Sequence, residues 1–254
     1  MTQPTPVIAA SDLHGILPEV GPCELLLLAG DLLPPEIEDD VEASRAWLAG
    51  LFAEWLDDVP AREVVACAGN HDFVLAELVG QGAHPGLFGA RWTYLQDALL
   101  VTGCGLRVWG TPWTPQVGGW AFEADRERIS EAFDGIPAGL DVLVAHCPPF
   151  GHGDRARRPS FTGPLAAPIH EYDHIGSPEL LTAIERAAPQ LCVFGHVHSD
   201  GGYRHQFGQT LLANVSVIND RYDRARPADA FQITAGKHGV GADGAQASAD
   251  GTGR

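Results

Sequence analysis

Short apolar runs alternate along this chain with glycine-rich turns, and one longer stretch has a different period. Apolar runs bounded by turn signals are typical of buried strands, and five of them stand out, at 7–10, 25–29, 64–66, 142–144 and 192–194. The stretch from Glu38 to Val59 predicts an amphipathic helix, because its large apolar residues recur every three or four positions and form one stripe: Trp47, Leu48, Leu51, Phe52, Trp55 and Leu56. Strands mixed with helices indicate an α/β fold.

The remaining patterns complete this prediction. Helices are expected at 73–79, at 124–133 and after Ser177-Pro178-Glu179, which combines an N-cap serine with a proline in the first turn. Further strands are expected at 99–101, 106–110, 210–213, 215–218 and 230–234. We predict a single domain over residues 1–234 and a disordered tail over 235–254, where large apolar residues are scarce.

Polar residues that can bind metals follow each of the five apolar runs. The carboxyl ends of neighbouring strands converge in α/β sheets, so these residues are expected to share one cleft. Two Asp, one Asn and four His are enough to hold two divalent ions. The candidate metal ligands are Asp12, His14, Asp31, Asn70, His146, His196 and His198.

The chemical types of these residues suggest how the ligands divide between two metal ions. A carboxylate can bridge two metals and a neutral imidazole cannot, which makes Asp31, after Gly30, the natural bridge. Two metals roughly 3.5–4 Å apart polarise a phosphoryl oxygen and lower the pKa of a shared water. Hydrolysis of a phosphate ester by such a pair of metals also needs a cation or an acid near the leaving group. His71, next to Asn70, need not be a ligand and is expected to fill this role, with Asp72 fixing its tautomer.

Composition narrows the function classes. The formal net charge is −17, and such a surface repels nucleic acid polymers and anionic membranes.

The five cysteines are an odd number without a CxxC pair, and several lie in strand-like runs, so reduced thiols in or near a core are expected. Neither a signal peptide nor an apolar run of transmembrane length is evident, so we expect a cytoplasmic protein.

Taken in order, the blocks Asp12-Leu13-His14, Gly30-Asp31, Gly69-Asn70-His71-Asp72, His146 and Gly195-His196-Val197-His198 resemble those of the calcineurin-like metallophosphoesterase superfamily. The resemblance implies a four-layer αββα sandwich with two central mixed β-sheets. It implies a first metal on Asp12, His14, Asp31 and His198, and a second on Asp31, Asn70, His146 and His196. It also implies catalytic roles for His71, Asp72 and Asn70. Manganese is the favoured metal, with iron, zinc, nickel or magnesium as alternatives.

Further stretches are similar to the small metallophosphoesterase-domain-containing phosphodiesterases: Gly110-Thr111-Pro112-Trp113, Ala145 to Gly151 and Asn214-Val215-Ser216. We therefore expect a phosphodiesterase that hydrolyses small phosphodiesters, such as cyclic nucleotides, by metal-hydroxide attack. The alternatives are a phosphomonoesterase, including a protein Ser/Thr phosphatase, and a catalytically weak metal-binding scaffold. The oligomeric state stays open, and so does the hypothesis that Arg155, Arg157 and Arg158 contact a phosphate.

Overall fold

The computed structural model describes residues 3–80, 91–157, 172–224 and 226–236. The strands within these ranges are β1 (Thr5–Ala10), β2 (Cys23–Ala29), β3 (Ala61–Cys67), β4 (Thr93–Tyr94), β5 (Ala98–Val101), β6 (Arg107–Thr111), β7 (Thr114–Pro115), β8 (Glu123–Ala124), β9 (Val142–Ala145), β10 (Arg155–Arg157), β11 (Tyr172–His174), β12 (Leu191–Phe194), β13 (Arg204–Phe207), β14 (Thr210–Asn214) and β15 (Asp229–Ile233). The α-helices are α1 (Val41–Trp47), α2 (Ala53–Asp58), α3 (Phe73–Gly80), α4 (Arg126–Asp134) and α5 (Pro178–Ala187).

Two large mixed sheets form the centre of the described structure. The first has the order β15-β1-β2-β3-β4, with β1 to β4 parallel and β15 antiparallel to β1. The second has the order β13-β14-β12-β9-β6-β5, parallel from β14 to β6 and antiparallel at both edges. In each sheet, the parallel inner strands therefore all end on the same side, and α/β sheets place their functional sites at these carboxyl ends.

Three apolar clusters separate four layers. One cluster packs α1, α2 and α3 on the outer face of the first sheet, through residues such as Leu26, Leu28 and Val64. A second lies between the two sheets and includes Leu27 and Val144. A third packs α4 and α5 on the outer face of the second sheet. Because neighbouring strand residues face opposite sides, one strand serves two clusters, and the expected αββα sandwich with two mixed sheets is confirmed.

The helix predicted for Glu38 to Val59 forms from Val41 to Asp58, but with an irregular centre. A π-helical turn, Leu48–Phe52, joins α1 to α2. The wider turn keeps Leu48 and Phe52 fully buried and leaves Leu51 61% exposed. The expectation that Leu51 belongs to the apolar stripe is therefore wrong, because the stripe assumed the regular α-helical period through this segment.

Most other elements match their predictions within a few residues, and Ser177 caps α5 by accepting a hydrogen bond from the Leu180 amide. The strand expected at 215–218 does not form; this segment makes only isolated bridges at Ser216 and Ile218. In β10, Arg155 forms an ion pair with Asp200. Arg158 and residues 237–254 lie outside the described residues, as does the side chain of Arg157.

Across the parts of the chain that the structure describes, none of the helices has both the length and the apolar character needed to span a membrane.

Candidate metal centre

All seven candidate ligands meet where the two sheets adjoin. Parallel pairing of β1, β2 and β3 sets Ala10 opposite Leu28, and Ala29 opposite Cys67, so these strands end side by side. In the second sheet, Val193 pairs with Val144, which brings His146 and His196 out together. A bridge between Ser11 and Ser216 joins the two sheets at this point.

The first group of donors comprises Asp12, His14, Asp31 and His198. Each offers one ligand atom, and these atoms all lie within 4.8 Å of one another. Nε2 of His14 is 3.5 Å from Oδ2 of Asp31, and Nε2 of His198 is 3.5 Å from Oδ1 of Asp12. Carboxylates and imidazoles at this spacing can surround one divalent ion.

The second group shares Asp31 and adds Asn70, His146 and His196. Nε2 of His146 lies 3.3 Å from Oδ2 of Asp31 and 3.0 Å from Oδ1 of Asn70. Nδ1 of His196 lies 2.8 Å from the same Asn70 oxygen. Oδ2 of Asp31 therefore lies near donors of both groups, while its Oδ1 accepts a hydrogen bond from the His71 amide.

Three buried polar atoms of the candidate ligands have no hydrogen-bond partner among the described residues. They are Oδ2 of Asp12 and both ring nitrogens of His14. Burying polar atoms without partners costs free energy, and a bound cation would satisfy them. His146 has a fixed orientation, because its Nδ1 is hydrogen-bonded to the Ala29 carbonyl oxygen at 2.8 Å, which leaves Nε2 for a metal. These residues therefore fit a pair of divalent ions.

The carboxylates and imidazoles of the cluster shift one another's pKa values. Although burial raises the pKa of Asp12, contact with His198 outweighs it and lowers the pKa to about 2. Burial lowers the pKa of His14 to about 4 and that of His196 to about 4, in spite of the nearby carboxylates. For His146, burial also lowers the pKa, but the Asp31 carboxylate dominates and raises it to about 9. Two carboxylates thus carry negative charge that divalent ions would neutralise.

The backbone at the centre is strained. Four candidate ligands have positive φ: Asp12 (54°), His14 (41°), Asp31 (54°) and His196 (67°). Non-glycine residues rarely adopt this region, and such strain collects at functional sites when the surrounding structure enforces it. Here it turns the side chains at the strand ends into one cleft.

Two glycines are required by close packing around these ligands. A Cβ on Gly195 would collide with the Ser11 and Asp12 side chains, and a Cβ on Gly69 would collide with Asp31 and lie 2.6 Å from Cε1 of His146. The glycines in these two sequence blocks therefore allow strands of both sheets to approach the ligands closely.

His71 lies at the edge of the centre, with its ring centroid 4.8 Å from that of His14. The expectation that Asp72 fixes its tautomer is wrong. Asp72 is fully buried, and its two oxygens accept hydrogen bonds from the backbone amides of Leu32, Leu33 and Gly69. Nδ1 of His71 instead lies 2.6 Å from Oε2 of Glu38. A carboxylate does orient the ring, but it comes from the segment after β2.

Aromatic side chains surround the cleft. The Trp120 ring lies 4.3 Å from that of His71, and the Tyr222 ring lies 4.8 Å from His14 and 5.3 Å from His198. Burial raises the pKa of Tyr222, and the Asp31, Glu38 and Asp12 carboxylates raise it further. The indole N–H of Trp113 donates a hydrogen bond to Asp97, and the Arg128 guanidinium lies over the Trp113 ring.

Sequence reasoning missed Glu38 and Tyr222. Glu38 stands in an acidic segment with Glu36, Asp39 and Asp40, and nothing in its spacing distinguishes it from them. Tyr222 belongs to no motif, and its place beside His14 depends on long-range packing. Only the fold could have identified these two residues.

Comparison with known proteins adds an independent result. Residues 5–200 match the model of the family described as calcineurin-like phosphoesterase. The human Metallophosphoesterase domain-containing protein 1 is 29% identical over 226 residues, which cover 80% of this chain and 63% of the human protein. A UPF0046 protein of Caenorhabditis elegans is 29% identical over 234 residues, covering 87% and 76% of the two chains.

The chain thus spans about 63% of the length of its human relative. A solved structure described as a dimetal phosphatase from Danio rerio superposes with a TM-score of 0.51 at 11% identity, covering 92% of this chain and 99% of the other. At that identity the likeness shows a shared fold. Since the family match extends over most of the chain and includes every candidate ligand, the chain belongs to the calcineurin-like phosphoesterase family.

Proposed function

We propose that this chain is a dinuclear-metal-dependent phosphoesterase that prefers small phosphodiesters such as cyclic nucleotides. One observation carries the proposal: Oδ2 of Asp31 lies 3.5 Å from Nε2 of His14 and 3.3 Å from Nε2 of His146, so one carboxylate adjoins two donor groups. A bridging carboxylate between two complete donor sets is the arrangement that two-metal hydrolysis needs.

In this proposal, Asp12, His14 and His198 complete the first site around Asp31, and Asn70, His146 and His196 complete the second. Manganese is the favoured metal, because the carboxylate and amide oxygens of Asp12, Asp31 and Asn70 suit it, and iron, zinc, nickel or magnesium are the alternatives. When bound, the two ions would polarise a phosphoryl oxygen and activate a water between them. The protein's own part is to hold the donors in a buried, strained cleft.

His71 would supply the proton for the leaving group. In the doubly protonated ring, Nδ1–H donates to the Glu38 carboxylate, and the Nε2 proton is the one that would pass to the departing oxygen, which leaves His71 as the neutral imidazole with its proton on Nδ1. Asn70 would bind the second metal beside it. Asp72 would act only by fixing the loop, because both its oxygens are bonded to backbone amides.

The surroundings of the cleft favour a diester. A diester carries one negative charge and a monoester nearly two, and this chain has a net charge of −17. Arg155, a candidate for extra positive charge, forms an ion pair with Asp200. Trp120 and Tyr222 offer ring surfaces next to His71 and His14 for a flat group on the substrate.

The test compares hydrolysis of bis(p-nitrophenyl) phosphate and p-nitrophenyl phosphate, with manganese and with chelator. Chelator-sensitive cleavage that favours the diester supports the proposal, whereas preference for the monoester would make the protein a phosphomonoesterase. The His71→Ala variant is the matched control, because it should retain metal and lose turnover. Metal-loaded wild type without turnover of either ester would contradict an enzymatic role and favour a binding scaffold.

A further inference from the structure

The Tyr222 ring packs against two candidate ligands of the metal centre, and the Tyr222 backbone has an unfavourable conformation. Its ring makes edge contacts with His14 and His198, at centroid distances of 4.8 and 5.3 Å and interplanar angles of 70° and 90°. Its φ is +61°, a region that bulky residues enter only when the surrounding structure enforces it. The side chain is nevertheless 43% exposed, so burial of the ring alone does not account for the strain.

A tight turn holds Tyr222 in place. Its amide donates to the Asn219 carbonyl oxygen at 2.9 Å. The Asn219 side-chain oxygen accepts hydrogen bonds from the amides of Arg221 at 2.8 Å and Asp223 at 3.2 Å. An isolated bridge between Ile218 and Arg224 closes the turn. The turn therefore fixes both the backbone and the direction of the ring.

The hydroxyl has a different environment from the ring. Among the described residues it makes no hydrogen bond, and it belongs to a ring that lies beside His14 and His198. A phenol is a good donor to a charged acceptor. A phosphoryl group that enters the cleft beside His14 and His198 would bring such an acceptor to it.

We infer that Tyr222 is a substrate-binding residue: its hydroxyl donates a hydrogen bond to a non-bridging phosphoryl oxygen, and its ring orients the imidazoles of His14 and His198. The inference rests on the proposed function, because it takes a phosphate ester as the substrate. It assigns the strained turn at 219–224 to phosphate recognition at the first metal site.

The experiment uses the full chain loaded with manganese, as wild type, Tyr222→Phe and Tyr222→Ala. Three quantities are measured: manganese content by elemental analysis, affinity for inorganic phosphate by calorimetry, and kcat and KM for bis(p-nitrophenyl) phosphate. Tyr222→Phe should retain both metals and bind phosphate about tenfold more weakly, the usual effect of losing a hydrogen bond to a charged group. Tyr222→Ala should also lose metal. The control is Tyr203→Phe, whose hydroxyl contacts His152 instead.

Phosphate affinity separates this inference from the proposed function, since it needs no turnover. If wild type cleaves neither ester but Tyr222→Phe still weakens phosphate binding, the contact of Tyr222 with phosphate stands and the enzymatic proposal fails. If Tyr222→Phe binds phosphate as wild type does, or weakens it only in proportion to lost metal, Tyr222 is purely structural and the inference is overturned. Failure of metal-loaded wild type to bind phosphate would overturn it as well.

Discussion

Oε2 of Glu38 lies 2.6 Å from Nδ1 of His71, and both side chains are only 13% exposed. The pair joins the segment after β2 to the loop after β3 at the edge of the metal centre. A carboxylate in this position fixes the tautomer and direction of an imidazole. Glu38 is therefore a positioning residue for the proposed acid.

Replacing Glu38 by Gln should lower kcat by about 10- to 100-fold, the usual effect of losing a group that orients a functional side chain. Metal content should stay unchanged, because Glu38 belongs to neither donor group. Steady-state kinetics with elemental analysis would check this. Glu36→Gln is the control, an exposed glutamate two residues away. Equal activity of both variants would contradict a role for Glu38.

Metal stoichiometry should distinguish the shared ligand from a single-site ligand. His14→Ala removes a donor from the first group only, so the protein should keep about one metal per chain. Asp31→Ala removes the carboxylate common to both groups and should leave neither metal firmly bound. Elemental analysis after dialysis measures both variants. Retention of two metals by Asp31→Ala would contradict the bridging assignment.

Metal binding should release a proton near neutral pH. The pKa of His146 is raised to about 9 without metal, so the ring is protonated at pH 7 and must lose that proton to bind a cation. The apparent affinity should therefore increase as the pH rises toward 9, with release of at least one proton, because, although burial lowers the pKa of His198, contact with Asp12 outweighs it and raises that pKa as well. Calorimetry of manganese binding in buffers of different ionisation enthalpy measures this number. Identical heats in all buffers would show that no proton is released.

Gly195 should tolerate no side chain. A Cβ there would collide with Ser11 and Asp12, so Gly195→Ala should destabilise the fold by about 1–3 kcal/mol and reduce metal binding. Gly50→Ala is the control, since a Cβ at Gly50 meets no atom within 4 Å, and the change should stabilise the helix by about 0.5–1 kcal/mol. Chemical denaturation measures both free energies of unfolding. A neutral Gly195→Ala would refute the packing argument.

Trp120 should affect substrates with a flat group more than others. Trp120→Ala should raise KM for bis(p-nitrophenyl) phosphate by about three- to tenfold, as expected from losing one aromatic contact, and leave a dialkyl diester unaffected. Val117→Ala, in the same loop and 76% exposed in wild type, is the control. A similar increase in KM for both substrates would indicate that Trp120 supports the position of His71 and does not contact the flat group.

The order of motifs along the sequence was sufficient to predict the fold and the cluster. Candidate ligands such as Asp12 and His146 follow apolar strands within two residues, and strand ends of one sheet converge whatever the details of packing. The apolar helix stripe predicted at 47–56 was largely correct, because the burial of helical residues follows the helical period, which is local to the sequence. It failed at Leu51, where the period itself changes in the π-helical turn.

What only the tertiary structure decided depends on contacts between segments distant in sequence. Glu38 and not Asp72 orients His71, because the loop after β3 turns the Asp72 carboxylate toward the amides of Leu32 and Leu33. Tyr222 reaches His14 across about two hundred residues of chain. The sequence by itself determined which donors exist and at which strand ends they stand. Their partners were decided by packing, because side-chain direction there is set by strained backbone and close approach between the two sheets.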